Sequence, residues 1–384
     1  MRIPPVKIPF SDADIDRLAE RFKETLRSGF IAMGPHAAAF ETAFSAFLGG
    51  PRCIGCGSGT QALELVCRAL GVAGGSVAVP AATFMATAMA PVAAGARVIL
   101  VDCDPLTLQM DPGDLERKMA PDTRAVILVH LGGSVSTEWG RIRETARAAG
   151  AAFVEDAAHA HGAEVDGRMA GTLGEAAAFS FFATKVLTTG EGGMVATSDP
   201  ELAGRLLVLR QHGQLRPGSN VHEGFGLNYR PSEIHALLGL DVLSRAASIL
   251  SARRLAALEY DRLLEGTPFR PLPAPPGQRP SYYKYIVFLP GGVPRGPFKE
   301  RLFERHGYAL AGEVYALPLD RQPFWASRPE LLARPLEPLP GAAAGCAGHV
   351  CLPIWPGIDP ADQRALVEAM VDTAAGFRGG TGRP

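Results

Sequence analysis

Lysine is scarce in this sequence, and one lysine has a setting unlike that of the others. The chain has six: Lys7, Lys23, Lys118, Lys185, Lys284 and Lys299. Five of them lie in polar, terminal or tyrosine-rich stretches, where a solvated ammonium group is expected. Lys185 instead follows the apolar run AAAFSFFAT, and burial among apolar neighbours lowers the pKa of an ammonium group. The resulting neutral amine can form a Schiff base with a carbonyl compound, although a surface lysine after a strand is the alternative.

A carboxylate stands at the end of one predicted strand. The run AAFVED, residues 151–156, has the composition of a buried strand and ends in Asp156. Ligands of parallel α/β sheets bind beyond the carboxyl ends of the strands. The carboxylate is therefore placed to keep a pyridinium nitrogen protonated, as the cofactor pyridoxal 5′-phosphate (PLP) requires. Asp156 is equally suited to cap a helix that begins in AAHAHG.

A glycine-rich turn leads into an amphipathic helix at residues 55–70, GCGSGTQALELVCRAL. The backbone N–H groups of Gly59 and Thr60 would then lie at a helix N-terminus, where phosphate groups bind. Ser180 supplies a hydroxyl for the same phosphate, and Phe84 follows a strand and can stack on a flat ring. The turn also resembles a dinucleotide-binding GxGxxG loop, but the strand ending in an acid that such loops need about twenty residues later is missing. Taken singly, each residue also fits a helix cap or the core.

Short runs rich in Val, Ile, Leu and Ala alternate with amphipathic segments through the middle of the chain. Such runs are typical of buried strands, and they occupy residues 77–80, 97–102, 124–130, 151–156 and 192–197. Residues 138–149 carry charges on one face and Ala, Ile and Trp on the other, as a helix that covers a sheet does. The pattern predicts an α/β domain with a mostly parallel sheet flanked by helices.

The composition changes after a long helical stretch predicted at residues 233–264. Proline and glycine become frequent between residues 267 and 297, which is typical of a domain boundary. The remainder predicts a smaller α/β domain, with a strand at 284–289 and helices near 297–306 and 360–375. We therefore expect a large domain over residues 1–250, including an N-terminal segment over 1–30, and a small C-terminal domain over 251–384.

Composition and charge narrow the class of partner. The chain has 384 residues, of which 47% are hydrophobic, enough to bury a large core. Its 38 basic and 39 acidic residues are interspersed, so no basic stripe is available for nucleic acid. The first ten residues lack the apolar core of a signal peptide, and the charge-free stretch at 76–96 contains helix-breaking prolines. We expect a cytoplasmic protein that binds small molecules, and neither nucleic acid nor membrane.

The cysteines give no sign of a metal site. Six are present, which fits reduced thiols in the cytosol. Cys53 and Cys56 form a CxxC pair, but no second pair follows at a distance that would complete a zinc site. We interpret both as small residues of the core beside the glycine-rich turn and expect no bound metal.

Five blocks of the sequence resemble, in order, the signature blocks of one enzyme family. They are GSGTQALEL, VPAATFMAT, EDAAHAHGA, FSFFATKVLTTGEGGMVAT and GLNYRPSEIHALLG. They are similar to those of the DegT/StrS family of PLP-dependent sugar aminotransferases, and the likeness extends from residue 34 to residue 362. The resemblance implies the type I fold of PLP-dependent transferases, that of aspartate aminotransferase. It also implies PLP as cofactor and transfer of an amino group to a keto substrate.

The resemblance assigns roles by position in the blocks. Lys185 would be the Schiff-base lysine and Asp156 the partner of the ring nitrogen. Gly59, Thr60 and Ser180 would contact the cofactor's phosphate. Phe84 would stack on its ring, and His159 would contact its 3′ oxygen. Asn228 would reach the phosphate of the neighbouring subunit, which implies a homodimer with two shared active sites. Substrate contacts are expected among Tyr229, Arg230, Tyr315 and Arg321, although either arginine is equally suited to a structural ion pair.

Two departures from the family pattern bear on the substrate. His159 stands where many nucleotide-sugar members have Gln, and His there is similar to the branch that makes 3-amino-5-hydroxybenzoate. Residues 130–133 read HLGG instead of HLYG, so an aromatic residue that often lines the sugar pocket is missing. The expected reaction is transfer from L-glutamate or L-glutamine to a keto-sugar, nucleotide-linked by family frequency, or to a keto-cyclitol, in amino-sugar, antibiotic or glycan biosynthesis.

Four other functions fit parts of the sequence. One is an enzyme similar to 3-amino-5-hydroxybenzoate synthase, which the two departures favour. A PLP-dependent sugar dehydratase is another, but those members replace the lysine with His, so Lys185 argues against it. A non-catalytic binding protein of this fold would usually lack the lysine or carry a DNA-binding segment, and neither is seen. An NAD-dependent oxidoreductase would be distinguished by the absorbance of its bound cofactor.

Overall fold

The computed structural model of the chain describes residues 2–214, 216 and 220–378. Its α-helices are α1 (Asp12–Ser28), α2 (Pro35–Phe47), α3 (Gly59–Ala69), α4 (Met85–Ala93), α5 (Pro112–Lys118), α6 (Trp139–Ala148), α7 (Pro200–Arg210), α8 (Glu233–Ser244), α9 (Ala246–Leu264), α10 (Arg295–His306), α11 (Pro323–Ser327), α12 (Pro340–Gly348) and α13 (Pro360–Arg378). Its strands are β1 (Arg52–Cys56), β2 (Ser76–Pro80), β3 (Arg97–Val101), β4 (Thr123–Val129), β5 (Ala152–Asp156), β6 (Glu164–Val165), β7 (Arg168–Met169), β8 (Ala176–Ser180), β9 (Gly193–Thr197), β10 (Arg270–Pro271), β11 (Gln278–Arg279), β12 (Tyr285–Phe288) and β13 (His349–Leu352).

A seven-stranded sheet in the order β1-β9-β8-β5-β4-β2-β3 forms the centre of the N-terminal part. The pairs from β8 through β5, β4 and β2 to β3 are parallel, and β9 runs antiparallel to both its neighbours. Val77 and Val79 of β2 pack into one hydrophobic core and Ala78 into another, so the sheet is covered on both faces. This burial explains the uninterrupted apolar runs of the sequence. The predicted α/β fold with a mostly parallel sheet is confirmed.

The parallel strands bring their carboxyl ends to one edge of the sheet. In the register of β4, β5 and β8, Asp156 pairs with Val129 on one side and with Ala178 on the other. Helix α3 begins at the same edge, because a Cβ added at Gly59 would lie 2.6 Å from the Ser180 Cβ. Only glycine allows so close an approach. The edge therefore gathers two strand ends and one helix N-terminus.

A second core lies in the C-terminal part. The three-stranded sheet β10-β12-β13 packs with α9, α10 and α13 around buried residues such as Tyr260, Phe298 and Met370. Ile3, from the N-terminal segment, belongs to this core as well. Helix α9 crosses residue 250, and its buried residues from Ala256 onward pack in the second core. The division of the chain at residue 250 remains a prediction.

Residues 233–264, expected as one helical stretch, form two helices. Arg245 separates α8 from α9, and the two helix axes are bent by 61° there. The Arg245 guanidinium holds the bend through ion pairs to Asp14 and Asp241. Within the described residues no single helix is long and apolar enough to cross a membrane, although this bent pair passes on length and composition alone.

Lys118 was expected in solvent, and this prediction is wrong. Its side chain is buried, and Nζ donates to the Leu100 carbonyl oxygen at 2.9 Å. A second contact of 2.9 Å joins Nζ to Asp114 Oδ2, one turn earlier on α5. The polar composition around Lys118 concealed the burial, because the carboxylate that compensates the ammonium group lies on the same short helix.

The two cysteines of the CxxC pair lie on β1, and both side chains are buried. Burial raises the pKa of both Cys53 and Cys56 to about 12, so neither is an available thiolate near neutral pH. In the part of the chain that the structure describes, no group of three or more His, Cys, Asp or Glu side chains is arranged to hold a metal ion.

Candidate active site

A cavity of about 470 Å³ opens at the carboxyl edge of the large sheet. One wall comes from this edge and the other from residues 283–284 and 312–315 of the C-terminal part. Eight of the residues predicted for the site line it: Gly59, Thr60, Phe84, Asp156, His159, Ser180, Lys185 and Tyr315. The structure thus brings together residues that lie up to 256 positions apart in the chain, as Gly59 and Tyr315 do.

Lys185 lies in the loop after β8 and reaches into the cavity. Its burial lowers the pKa of the ammonium group to about 8; the Asp156 carboxylate opposes this effect, and the Lys284 ammonium adds to it. Nζ is 4.6 Å from the centroid of the Tyr283 ring, a cation–π distance. With a pKa near 8, about a tenth of the amine is neutral at pH 7, against about 0.03% for an ordinary lysine. This population of neutral amine suits the predicted role of Lys185 in forming a Schiff base.

Asp156 ends β5, and its carboxylate is buried beside the cavity. Thr87 Oγ1 donates to Oδ2 at 2.7 Å, and the Ala158 backbone N–H donates to Oδ1 at 3.2 Å. Thr87 gives its single proton to Asp156, so Thr83, whose Oγ1 is 2.8 Å away, must donate to Thr87. Burial raises the pKa of Asp156. Among the described residues its donors are neutral, so a cation bound in the cavity would complete the pairing.

His159 is neutral, and its tautomer is determined by the backbone. Burial lowers its pKa well below the usual range. The Gly132 N–H donates to Nδ1 at 3.3 Å, so the proton of the neutral ring lies on Nε2. Nε2 is 3.4 Å from the Tyr315 hydroxyl and belongs to the wall of the cavity. His159 therefore offers the cavity a hydrogen-bond donor without a charge.

The HLGG departure has a steric cause. A Cβ added at Gly132 would lie 2.8 Å from Ile286 Cδ1, and one added at Gly133 would lie 2.9 Å from the Tyr283 backbone nitrogen. Both glycines have positive φ angles, 65° and 93°. The loop can therefore approach the segment before β12, which places the Tyr283 ring 4.3 Å from the His159 ring. Tyr283 therefore contributes an aromatic ring to the cavity wall, although the HLGG block lacks the aromatic residue of HLYG.

The N-terminus of α3 provides the anion-binding end of the cavity. Ser58 caps the helix by accepting a hydrogen bond from the Gln61 N–H at 3.2 Å. The first N–H groups of a helix have no partner within it, so those of Gly59 and Thr60 are available to a ligand. Ser180 lies against this turn and also lines the cavity. The arrangement suits a phosphate group, which the helix dipole also favours.

Phe84 lies on the exposed side of the cavity. It is the N-cap residue of α4, and 61% of its surface is accessible. Its ring centroid is 6.3 Å from that of Tyr315, and the two rings are inclined by 29°. An exposed ring of this size at a cavity mouth is an available stacking surface for a flat ligand.

Four predicted residues do not line the cavity of the same chain: Asn228, Tyr229, Arg230 and Arg321. The Tyr229 hydroxyl donates to Glu64 Oε2 at 2.7 Å, Asn228 is exposed, and Arg321 is exposed at the end of a short 3₁₀ turn. The role predicted for Asn228 concerns the site of a neighbouring subunit, so its distance from this cavity is consistent with that role. The roles of all four stay predictions.

The sequence analysis missed several side chains of the site. Thr83 and Thr87 stand four residues apart in the block VPAATFMAT, Thr83 just before α4 and Thr87 in its first turn, and that spacing was the available signal. Tyr283 and Lys284 precede β12 and gave none, because their place depends on how the second core packs against the first. Arg253 of α9 is buried and donates to the carbonyl oxygens of residues 282 and 283. These bonds hold the backbone of the segment that carries the Tyr283 ring.

These features fit PLP and define the class of the protein. The cavity has an amine of lowered pKa, a buried carboxylate without an ion-pair contact among the described residues, a neutral donor, an open aromatic face and a helix N-terminus for a phosphate. They match the aldehyde, ring nitrogen, 3′ oxygen, ring face and phosphate of PLP in turn. The site is that of a PLP-dependent transferase.

The chain belongs to the DegT/DnrJ/EryC1/StrS aminotransferase family, whose sequence model matches residues 13–371. It is 33% identical over 372 residues to dTDP-4-dehydro-2,3,6-trideoxy-D-glucose 4-aminotransferase of Saccharopolyspora spinosa, with 92% of each chain covered. It is also 33% identical over 338 residues to L-glutamine:2-deoxy-scyllo-inosose aminotransferase of Streptomyces kanamyceticus, covering 82% of this chain and 78% of that one. The PLP form of Spr1654 from Streptococcus pneumoniae has a TM-score of 0.87 and 26% identity, with 98% and 99% coverage.

The family, the fold and the cofactor predicted from the sequence blocks are confirmed. Aminotransferases of this family are PLP-dependent, so the chain is a PLP-dependent aminotransferase with the fold of that class. Its relatives are sugar and cyclitol aminotransferases, which places the chain among the sugar aminotransferases.

Proposed function

We propose that the enzyme transfers an amino group from L-glutamate or L-glutamine to a keto-sugar, linked to a nucleotide, or to a keto-cyclitol, in secondary-metabolite or glycan biosynthesis. The observation that carries the proposal is the cavity in which the Lys185 amine, with its pKa near 8, lies beside the Asp156 carboxylate. The relatives support the choice of acceptors, since one acts on a dTDP-linked keto-sugar and the other is named for L-glutamine and a keto-cyclitol.

PLP bound here would be held by Lys185, Asp156 and the turn at Gly59, and it would supply an electron sink for the carbon next to the transferred nitrogen. Asp156 Oδ2, whose ionised form the Thr87 hydroxyl favours against the effect of burial, would retain the proton of the ring nitrogen. Once released from the cofactor, Lys185 Nζ would act first as the base that removes a proton from the substrate carbon, and then as the acid that gives the proton back. A pKa near 8 makes both transfers accessible close to neutral pH.

We also propose a homodimer in the cytoplasm with two shared sites, in which Asn228 serves the neighbouring subunit's phosphate site. Exposed apolar side chains support an interface: Phe30, Ile31 and Phe225 have 65%, 54% and 64% of their surface accessible. Isolated exposed apolar residues are common, but large rings of this kind are enriched at interfaces. Sedimentation at several protein concentrations tests the assembly, and a monomer at all of them would contradict it.

The direct test of the function is the visible spectrum of the purified protein before and after addition of L-glutamate or L-glutamine without an acceptor. We expect the absorbance of lysine-bound PLP, and its conversion by the donor to the spectrum of pyridoxamine phosphate. Lys185→Ala should lack both, whereas Lys23→Ala, a change at an exposed position on α1, should retain both. Normal turnover by Lys185→Ala, or a wild-type spectrum that neither amino acid changes, would refute the proposal.

A second candidate acceptor is the ketone precursor of an aminobenzoate, as in 3-amino-5-hydroxybenzoate formation. His159 favours it by its likeness to the branch that forms this product, and Gly132 departs from the residue typical of nucleotide-sugar members. The pyridoxamine form of the enzyme separates the candidates. It is offered a nucleotide-linked keto-sugar, a keto-cyclitol and a carbocyclic keto acid in turn. Only an acceptor of the correct class should restore the PLP spectrum.

A further inference from the structure

Lys284 places a second ammonium group in the active-site cavity. Its Nζ lies 5.5 Å from the centroid of the Tyr283 ring, and Lys185 Nζ lies 4.6 Å from the same centroid. The Nζ atoms of Lys185 and Lys284 are therefore no farther apart than the sum of their two distances to the Tyr283 centroid. Both side chains line the cavity, and the positive charge of Lys284 is close enough to disfavour the protonated form of Lys185.

Among the residues that the structure describes, no acidic side chain forms an ion pair with Lys284. Its Nζ makes one long hydrogen bond, 3.4 Å, to the Gly312 carbonyl oxygen, and within the described residues no carboxylate lies within 4.0 Å of it. Glu313, the neighbouring acid on the cavity wall, is engaged by Lys299 at 2.7 Å instead. An ammonium group with free donors beside a reactive amine is a site for an anionic ligand group.

The position of this site selects the ligand group. The proposed phosphate end of the cavity lies at the N-terminus of α3, whereas Lys284 comes from the C-terminal wall and shares the Tyr283 ring with the Lys185 amine. In an α-amino acid the carboxylate is attached to the carbon that carries the amino group. A lysine that binds this carboxylate therefore has its nitrogen within roughly 6 Å of the reacting nitrogen.

We propose that Lys284 binds the α-carboxylate of the amino donor. The inference rests on the proposed aminotransferase function and adds to it the residue that recognises an amino acid as donor. Lys284 thus orients the donor so that its amino group faces Lys185, and the α-carboxylate neutralises the second ammonium group when it enters. The same cation is free again for the acceptor in the second half of the cycle.

The test compares a donor with its α-carboxamide in the half-reaction without acceptor. Whichever of L-glutamate and L-glutamine reacts better is paired with the same molecule bearing an amide at the α position. The proteins are wild type, Lys284→Met, Lys284→Arg and the control Lys23→Met. We expect wild type and the control to favour the carboxylate by about 10- to 100-fold in apparent affinity, the value of a charge-assisted hydrogen bond. Lys284→Met should lose that preference, and Lys284→Arg should keep most of it.

The preference ratio separates recognition from reactivity. Removing Lys284 also changes the pKa of Lys185, but this alters the rates of both members of a donor pair equally. Binding of 2-oxoglutarate, an α-carboxylate without an amine, to the PLP form by calorimetry gives a readout that needs no turnover. It should weaken by a similar factor in Lys284→Met alone.

The outcomes distinguish this inference from the proposed function. If wild type converts with neither amino acid, the aminotransferase proposal itself fails. If wild type converts but Lys284→Met keeps the full preference for the α-carboxylate, the function stands and the role of Lys284 is refuted. A variant that retains the donor preference and loses only affinity for the keto acceptor would likewise overturn the inference, because the anionic group would then belong to the acceptor.

Discussion

The hydroxyl of Thr87 is the side-chain donor to Asp156, and its removal gives a quantitative test of how the site works. Thr87→Val replaces the hydroxyl by a methyl group and keeps the branched shape that α4 packs. The 2.7 Å bond to Oδ2 is lost, and the Ala158 N–H at 3.2 Å remains. Since that bond favours the ionised carboxylate and burial opposes it, the variant should raise the pKa of Asp156 further.

The magnitude follows from the kind of bond. A hydrogen bond to a charged group contributes about 1.5–3 kcal/mol, which corresponds to a factor of about 10 to 100 in the population of the ionised form. If Asp156 acts by holding the proton of the ring nitrogen, the half-reaction with the amino donor should slow by up to that factor. The acidic limb of its pH profile should move to higher pH, because the carboxylate protonates more readily in the variant.

The assay is single-turnover conversion of the PLP spectrum by the donor across pH 5 to 9. Thr83→Val is the graded variant: Thr83 donates to Thr87 and not to Asp156, so its effect should be smaller. Thr145→Val, at a half-buried position on α6 outside the cavity, is the control. The reasoning is refuted if Thr87→Val retains PLP and a wild-type melting temperature yet reacts within twofold of the wild-type rate, with an unmoved acidic limb.

Three further predictions address the amine, the phosphate turn and the loop before β12. The rate at which cofactor-free protein captures PLP should rise with pH around a midpoint near 8, since only the neutral Lys185 amine reacts; stopped-flow absorbance measures it, and a midpoint near 10 would contradict the burial argument. Gly59→Ala places a Cβ 2.6 Å from the Ser180 Cβ and should weaken PLP binding at least 10-fold by fluorescence titration, whereas Gly140→Ala on α6, which meets nothing within 4 Å, should not. Arg253→Met removes three hydrogen bonds from a buried guanidinium and should lower the free energy of unfolding in urea by about 2–4 kcal/mol; an unchanged midpoint would show that these bonds do not hold the loop.

The residues on the sheet-edge side of the cavity could be predicted because they lie at strand ends or at the start of a helix. Asp156 ends a buried apolar run. Such runs can be recognised in the sequence because a strand of a sheet that is covered on both faces is apolar throughout. Lys185 follows another, and Gly59 stands where a glycine-rich turn becomes a helix. Local pattern is sufficient in these cases, since each side chain is placed by its own strand, turn or helix.

On the facing wall only Tyr315 was predicted, from the family resemblance, because no local pattern places the rest of that wall. Tyr283 and Lys284 lie in an irregular segment, and Tyr282 beside them has a φ angle of +51°, which only the packing around Arg253 explains. Lys118 was misread for a related reason: its burial depends on the Leu100 carbonyl oxygen of β3. Contacts between elements distant in sequence decide these positions, and composition does not report them.

This division between the two walls has a consequence for specificity. The sheet edge supplies Lys185, Asp156 and the turn at Gly59, which we propose hold the cofactor. Lys284 and Tyr315, for which we propose substrate contacts, come from the C-terminal part, and Gly132 lets the loop after β4 approach that part. Changes in the C-terminal wall can therefore alter the acceptor without disturbing the cofactor. The acceptor is better sought by substitutions at the cavity-lining positions 312–315 than at the sheet edge, and these should change the KM for the acceptor while the PLP spectrum stays constant.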